Sequence, residues 1–236
     1  MQLNGRPFHL LRSLKQIQDL DPEKLISWTL DNFEKEHIVL STGFGMEGCV
    51  LIDMVAQKKT DLTVYYLDTG FFFPETYELI DELKNKYKNI TLVDAGTSLS
   101  PADQESRYGP SLWEKDPDAC CRLRKVLPMQ RLLKDVEVWI TGVRSDQSVQ
   151  RQSVQKMEWH AFHQVWKISP LASWTRRQVW EYIRNNEVPH NILHHKGYPS
   201  IGCVQCTKEV DGISVQEYSR KGRWSGSEKT ECGLHQ

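Results

Sequence analysis

Apolar positions along this chain recur at two spacings. Leu25, Ile26, Trp28, Leu30 and Phe33 follow helical intervals and form one stripe ending near residue 35. Asp21-Pro22-Glu23 marks the start of that helix: Asp21 caps it, Pro22 suits the first turn and Glu23 favours the dipole. A further helical segment precedes it. Residues 37–41 (HIVLS) form instead a short apolar run before a glycine-bearing loop, which reads as a buried strand. The alternation then repeats. A helix is predicted over 47–58, a strand over 62–67 (LTVYYL), a helix over 74–87 and a strand over 90–93. Further strands are expected at 136–140 (VEVWI) and 165–168. Residues 175–186 are amphipathic, with Val179, Trp180, Tyr182 and Ile183 on the core side.

Strands alternating with helices predict an α/β fold, a parallel sheet with helices on both faces. Ligands of such sheets bind at the C-terminal ends of the strands. From about Gly197 the apolar periodicity fades, and glycine, charge and polar residues dominate. The expected organisation is an α/β domain over 1–196 and an extended C-terminal segment over 197–236.

Composition narrows the function. With 236 residues, 39% hydrophobic and 26% charged, the chain can bury one substantial core. Its net charge of −1 gives no support for a nucleic-acid or membrane partner, so any basic site is local. No stretch has the length of a transmembrane helix, and residues 1–10 contain no apolar run of the kind a secretory signal needs. A cytoplasmic, reducing location is therefore expected. There, grouped cysteines are more often metal ligands or catalysts than disulfides.

Five of the six cysteines are grouped or set apart in a way that packing does not require. Cys120 and Cys121 are adjacent, Cys203 and Cys206 form a CxxC, and Cys232 stands in Glu231-Cys232-Gly233-Leu234-His235-Gln236. Cys49 sits in an apolar helix and reads as core. Four thiolates can hold zinc or an iron–sulfur cluster. Adjacent cysteines are awkward for any single centre, because neighbouring side chains diverge; spacing alone favours zinc, and a vicinal disulfide is a third reading. Three polar loops lie at the predicted ligand edge. Ser41-Thr42-Gly43-Phe44-Gly45-Met46-Glu47-Gly48 lets backbone N–H groups and a helix N-terminus approach an anion. It lacks the GK[ST] ending of a phosphate-binding Walker loop, and an ordinary glycine-rich turn is its plain alternative. Asp68 and Thr69 end the second strand; Arg144, with Arg151 close behind, follows the fourth and suits a phosphate or sulfate. Together the loops suggest a phosphate-bearing small molecule.

The motifs Cys120-Cys121-Arg122-Leu123-Arg124-Lys125, Gly202-Cys203-Val204-Gln205-Cys206-Thr207 and Gly222-Arg223-Trp224, followed by Glu231-Cys232-Gly233-Leu234-His235, resemble a known family. They are similar to the iron–sulfur type of assimilatory adenylyl-sulfate reductases, within the phosphoadenylyl-sulfate reductase family. The resemblance covers the three loops as well and runs from about residue 25 onward. It implies an adenine-nucleotide α-hydrolase-like fold, similar to that of ATP pyrophosphatases. Gly45 stands where their SGGxDS pattern carries aspartate. The expected ligand is therefore a nucleotide already carrying sulfate, not ATP awaiting adenylation.

The resemblance implies that Cys120, Cys121, Cys203 and Cys206 hold a [4Fe-4S] cluster that organises the site without cycling electrons. It implies that Lys125 links this cluster to the substrate, and that Arg220 and Arg223 contact phosphate and sulfate. Ser41, Thr42, Gly43, Phe44, Gly45, Asp68, Thr69 and Arg144 complete the expected nucleotide site in 1–196. Without the resemblance, Lys125 reads as a solvated lysine beside Arg122 and Arg124. Lys208, Lys221 and the two arginines likewise alternate with Glu209, Asp211, Glu217 and Glu228, as a solvated mixed-charge segment would.

Cys232 is the expected nucleophile. Its attack on the sulfur of adenylyl sulfate expels AMP and leaves an S-sulfocysteine, with local cations easing the approach of one anion to another. A second thiol must then release sulfite. No other cysteine of the chain is placed to do so, which implies thioredoxin or a similar dithiol, reached by a mobile terminal arm. His235 either assists or is incidental. The same chemistry on 3′-phosphoadenylyl sulfate is the near alternative. A zinc-stabilised nucleotide-binding module without redox activity is the alternative of another class, and it leaves Cys232 unexplained. Association of the chain with further copies stays open.

Overall fold

The structure is a computed structural model and describes residues 2–3, 6–7, 14, 16–212, 220, 222–224 and 229–235. Lys221, Glu217 and Glu228 of the mixed-charge segment lie outside the described residues. Strands β1 (Gln2–Leu3) and β2 (Arg6–Pro7) pair antiparallel on their own. The main sheet has six strands: β3 (Ile38–Thr42), β4 (Thr63–Tyr66), β5 (Thr91–Asp94), β6 (Val138–Ile140), β7 (Met157–His160) and β8 (Val165–Ile168). Their order is β5-β4-β3-β6-β8-β7, all parallel except the edge strand β7. The expected α/β sheet is therefore present, with one antiparallel addition.

Period-two alternation sorts the two faces. Ile38, Leu40, Val64, Val138 and Ile140 point into the larger core with helices α1 (Pro22–Asn32), α2 (Met46–Gln57), α3 (Pro74–Lys86) and α8 (Arg176–Asn185). Val39, Trp139 and Val165 point the other way, onto Met129 and Leu133 at the end of the 117–132 helical run. Asp21 caps α1 by accepting from the Lys24 N–H at 2.9 Å. Helix α2 is buried from Met46 through Ala56, Cys49 included, because it is wedged between the sheet and α8.

The sequence pattern was silent over 101–133, which is helical. There α4 (Pro101–Tyr108), α5 (Leu112–Lys115) and α6 (Pro117–Cys121) lead into a π-helical turn, Arg122–Val126, and then α7 (Leu127–Leu132). These pieces are short and mostly polar, so no apolar stripe runs along them. Strand β7 also went unread. It is four residues long, and its hairpin turns through Gln164 at φ 55°, without the glycine or asparagine that usually marks such a turn.

Candidate active site

The chain runs from β3 to β4 in one direction across the sheet, and β6 joins β3 on the other side. That reversal opens a crevice at the C-terminal strand ends, the place where doubly wound sheets bind ligands. A cavity of about 240 Å³ lies there. Ser41, Thr42, Gly43 and Gly45 line it from β3, Leu67 and Thr69 from β4, and Thr141, Gly142 and Val143 from β6. Gly45 begins α2 with no side-chain cap, so the N-terminal turn of α2 faces the cavity through Met46, Glu47 and Gly48. Two glycines allow this crowding. A Cβ on Gly48 would collide with the Thr42 hydroxyl, and one on Gly142 would reach 2.9 Å from the Glu47 Cβ.

Two of the loop residues do not reach the cavity wall. Phe44 adopts φ 56° so that its ring turns into the core against Tyr66 and Phe72, leaving its N–H to donate to Thr42 Oγ1 at 2.9 Å. Asp68 folds back on its own turn, accepting from the Gly70 N–H at 2.7 Å and the Tyr77 hydroxyl at 3.1 Å. Arg144 is a third departure. Its side chain is fully buried, donating to Glu47 Oε1 at 2.9 Å, to the Trp174 carbonyl at 3.0 Å and to Asp146. Burial works against the Glu47 charge, but Arg144 beside it outweighs this and holds the carboxyl below the usual range. Arg144 thus braces the first turn of α2, which carries Glu47, and is absent from the wall. Arg151 and Arg176 line the cavity instead. Arg176 gave no sequence signal beyond its place in an amphipathic helix. His194 and Trp139 were likewise missed, being indistinguishable in sequence from core residues.

The remaining wall comes from far along the chain. Lys125, Cys203, Arg220, Arg223, Cys232 and His235 all border this cavity. The Cys203–Cys206 loop is tied to β4's loop by the Val204 N–H, which donates to the Phe71 carbonyl at 2.9 Å. Residues 222–224 run beside it: Lys208 N–H donates to Gly222 O at 2.8 Å and Trp224 N–H to Cys206 O at 3.0 Å. Gly202 leaves the room that the Arg223 guanidinium occupies. The Trp224 ring lies under Arg223 at 4.5 Å and Arg220 at 5.2 Å, a cation–π seat for both. His235 stacks on Trp139 at 4.9 Å, and burial and nearby cations keep its imidazole neutral. Trp139 in turn donates to Ser41 Oγ at 2.7 Å.

A second, smaller recess adjoins the first. Cys120, Cys121, Cys203 and Cys206 all border it, with Phe71, Trp113 and Lys125. Arg124, read from sequence as part of a solvated basic run, is buried at its edge. It donates to Gln104 Oε1 at 2.7 Å and to the carbonyls of Thr69, Leu99 and Ser100, and so pins the cysteine helix to the end of β4. Burial first, and neighbouring thiols second, push Cys120 and Cys206 up to about 11. Burial also opposes a thiolate at Cys203, yet Lys125, the Thr69 hydroxyl at 3.4 Å and Arg223 outweigh it and hold that thiol below the ordinary range. Such a self-repelling donor set suits a cationic centre, which deprotonates its thiols on binding. Zinc–sulfur bonds of about 2.3 Å require four sulfurs within roughly 4 Å of one another. Among the described residues no group of three or more His, Cys, Asp or Glu converges on a single ion. Four thiols around one recess are a donor set that either zinc or an iron–sulfur cluster accepts.

Sheet order and a switch-point cavity define a doubly wound α/β protein with its main cavity at the strand ends. Residues 37–209 match the phosphoadenosine phosphosulfate reductase domain, and the chain belongs to that family. The adenosine 5′-phosphosulfate reductase of Salinibacter ruber is 43% identical over 221 residues, covering 93% of this chain and 86% of that protein. A crystal structure of phosphoadenylyl-sulfate reductase from Candida auris, in a phosphate complex, superposes with a TM-score of 0.74 at 30% identity, covering 89% of this chain and 99% of that one. Yeast FAD synthetase shares the fold alone, with a TM-score of 0.57 at 14% identity over 86% of this chain and 70% of its own. No helix among the described residues is long and apolar enough to cross a membrane.

Proposed function

We propose that this chain reduces adenylyl sulfate to AMP and sulfite in sulfate assimilation, with Cys232 as nucleophile and thioredoxin or a similar dithiol as reductant. The observation that carries this reading is one wall: Cys232, Lys125, Arg220 and Arg223 border the same cavity as the α2 N-terminus. In this reading the nucleotide lies along the strand-end loops and the phosphosulfate meets the three cations. The Cys232 sulfur attacks the sulfate sulfur, the bond from that sulfur to the phosphate oxygen breaks, and AMP leaves with the electron pair. The cations offset the charge of an anionic nucleophile meeting an anionic substrate. One thiol of the dithiol then attacks the Cys232 sulfur and expels sulfite. Its second thiol resolves the mixed disulfide, so the dithiol supplies the two electrons.

Cys120, Cys121, Cys203 and Cys206 would hold a [4Fe-4S] cluster, which supplies fixed charge beside the site when bound. Lys125 borders both recesses and is the residue that would couple them. Burial opposes its charge, but Cys203, Cys232 and Cys121 more than offset this and raise its ammonium above the ordinary range. Six unpaired cysteines suit the reducing cytoplasm. Relatives named for adenosine 5′-phosphosulfate favour the unphosphorylated nucleotide. The Candida auris neighbour keeps 3′-phosphoadenylyl sulfate as the second reading. Sulfite release measured with each nucleotide in parallel decides between them: release from adenylyl sulfate is expected, and release from the 3′-phosphorylated nucleotide alone would overturn it.

A further inference from the structure

We propose that Glu231 is a latch that seats Cys232 in the cavity, acting as a positioning residue through a bidentate pair with Arg151. This rests on Cys232 being the nucleophile. Arg151 Nε donates to Glu231 Oε1 at 2.9 Å and Nη2 to Oε2 at 2.8 Å, the paired geometry that fixes both distance and orientation. Ser148 Oγ adds a third donor at 3.3 Å, and Arg220 Nη2 stands 3.4 Å from Oε2. Both partners are largely withdrawn from water, with side-chain exposures of 13% and 9%. Solvent therefore screens this pair less than a surface one.

The latch grips one residue from the nucleophile, and consecutive Cα atoms are only ~3.8 Å apart. Beyond Cys232, Gly233 turns the chain at φ 84°. Leu234 then packs beside Val39, Leu67 and Met129, and His235 stacks on Trp139. Cys232 thus hangs between an ionic anchor on one side and an apolar anchor on the other. The ionic anchor is the exchangeable one, because it is built from hydrogen bonds that water can replace. Both arginines line the cavity, but Arg220 reaches Glu231 through a single 3.4 Å contact, whereas the paired fork belongs to Arg151. A phosphosulfate that draws Arg220 away leaves the fork intact, so the segment stays closed during attack. Release of the fork exposes the sulfocysteine to the dithiol.

The test measures Cys232 separately from turnover. Full-length protein is alkylated with iodoacetamide, and the Cys232 peptide is followed by mass spectrometry. The same preparations receive adenylyl sulfate without reductant, and the rate of sulfonate addition is read in a single turnover. Glu231→Gln should alkylate faster and sulfonate more slowly, each by about ten- to a hundred-fold, the range for losing hydrogen bonds to a charged group. Nucleotide affinity should stay equal or tighten. Arg151→Gln should match it in the alkylation and sulfonation rates, though not in nucleotide affinity, since Arg151 also lines the cavity. On those two rates the double variant should add little, and Arg151→Lys, which keeps charge without the fork, should fall between. Unchanged Cys232 alkylation in Glu231→Gln and Arg151→Gln would overturn the latch even if sulfonation proceeds. Wild-type protein that never gains the adduct would instead overturn the nucleophile assignment.

Discussion

The larger cavity is walled by backbone, hydroxyls and arginines gathered from three strand ends, whereas the recess beside it is walled by four thiols and aromatic rings. The first is finished by the protein's own charges: an uncapped helix start and cations already seated on Trp224. The second is not, because burial and mutual repulsion hold Cys120, Cys121 and Cys206 toward the neutral thiol. The proposed cluster would supply the positive charge that completes it. Lys125 and Cys203 are walls of both, so a change on either side reaches the other.

The strongest way to break this picture is to remove a shared wall. Cys203→Ser should lose iron and sulfide together with sulfite release, while circular dichroism stays that of a folded α/β protein. Stoichiometric zinc with no iron in wild-type protein prepared without oxygen would contradict the [4Fe-4S] assignment and favour the zinc alternative. Next in size is the buried pair behind the larger cavity. Arg144→Met strands Glu47 without its partner and should cost about 3–5 kcal/mol in urea unfolding. Adding Glu47→Gln should recover part of that loss. A small change in stability with a large loss of nucleotide affinity would instead put Arg144 on the substrate.

Lys125, Arg220 and Arg223 separate the two regions more finely. Replacing one by alanine removes a charge-assisted contact worth about 1.5–3 kcal/mol, or roughly ten- to a hundred-fold in affinity or rate. Arg220→Ala should act mainly on nucleotide binding, followed by equilibrium titration. If the four thiols hold the proposed cluster, Lys125→Ala should also disturb its absorbance, since Lys125 borders both recesses. Unchanged binding and turnover at all three would restore the solvated mixed-charge reading.

The smallest effect is one of pH. Glu47 ionises more easily in the folded protein than in the unfolded chain, whose carboxyl titrates near ~4.3. Its stabilisation is therefore complete above that value and is lost as pH falls through the lower folded value. The stability gap between wild type and Glu47→Gln, taken from urea midpoints, should be present near neutrality and close in acid. A gap that widens in acid would reverse the sign and contradict the pairing.

These two regions were unequally legible in the sequence. Strands β3, β4, β5, β6 and β8 and helices α1, α2, α3 and α8 follow from apolar runs and spacing, with α1, α3 and α8 each burying one face and α2, β6 and β8 buried throughout. The cysteine groups and the loops ending β3, β4 and β6 were visible because their residue types are uncommon together. What stayed hidden depends on where a side chain goes after leaving a loop. Arg144, Phe44 and Asp68 have the right address, but the first is consumed by Glu47, the second by the core and the third by its own turn. Arg124 looked like ordinary surface charge and Arg151 like an anion ligand beside Arg144, since nothing local reveals the carbonyls and the carboxylate, 24 to 80 residues away, that hold them.

The central claim is that Cys232 takes the sulfonate. Wild-type protein incubated with adenylyl sulfate and no reductant, then analysed intact and by peptide mapping, tests it directly. One sulfonate is predicted on the Cys232 peptide, removable by thioredoxin and absent from Cys232→Ser, which should still bind nucleotide and retain its iron. An adduct on any other cysteine, or sulfite release by the serine variant, would contradict it.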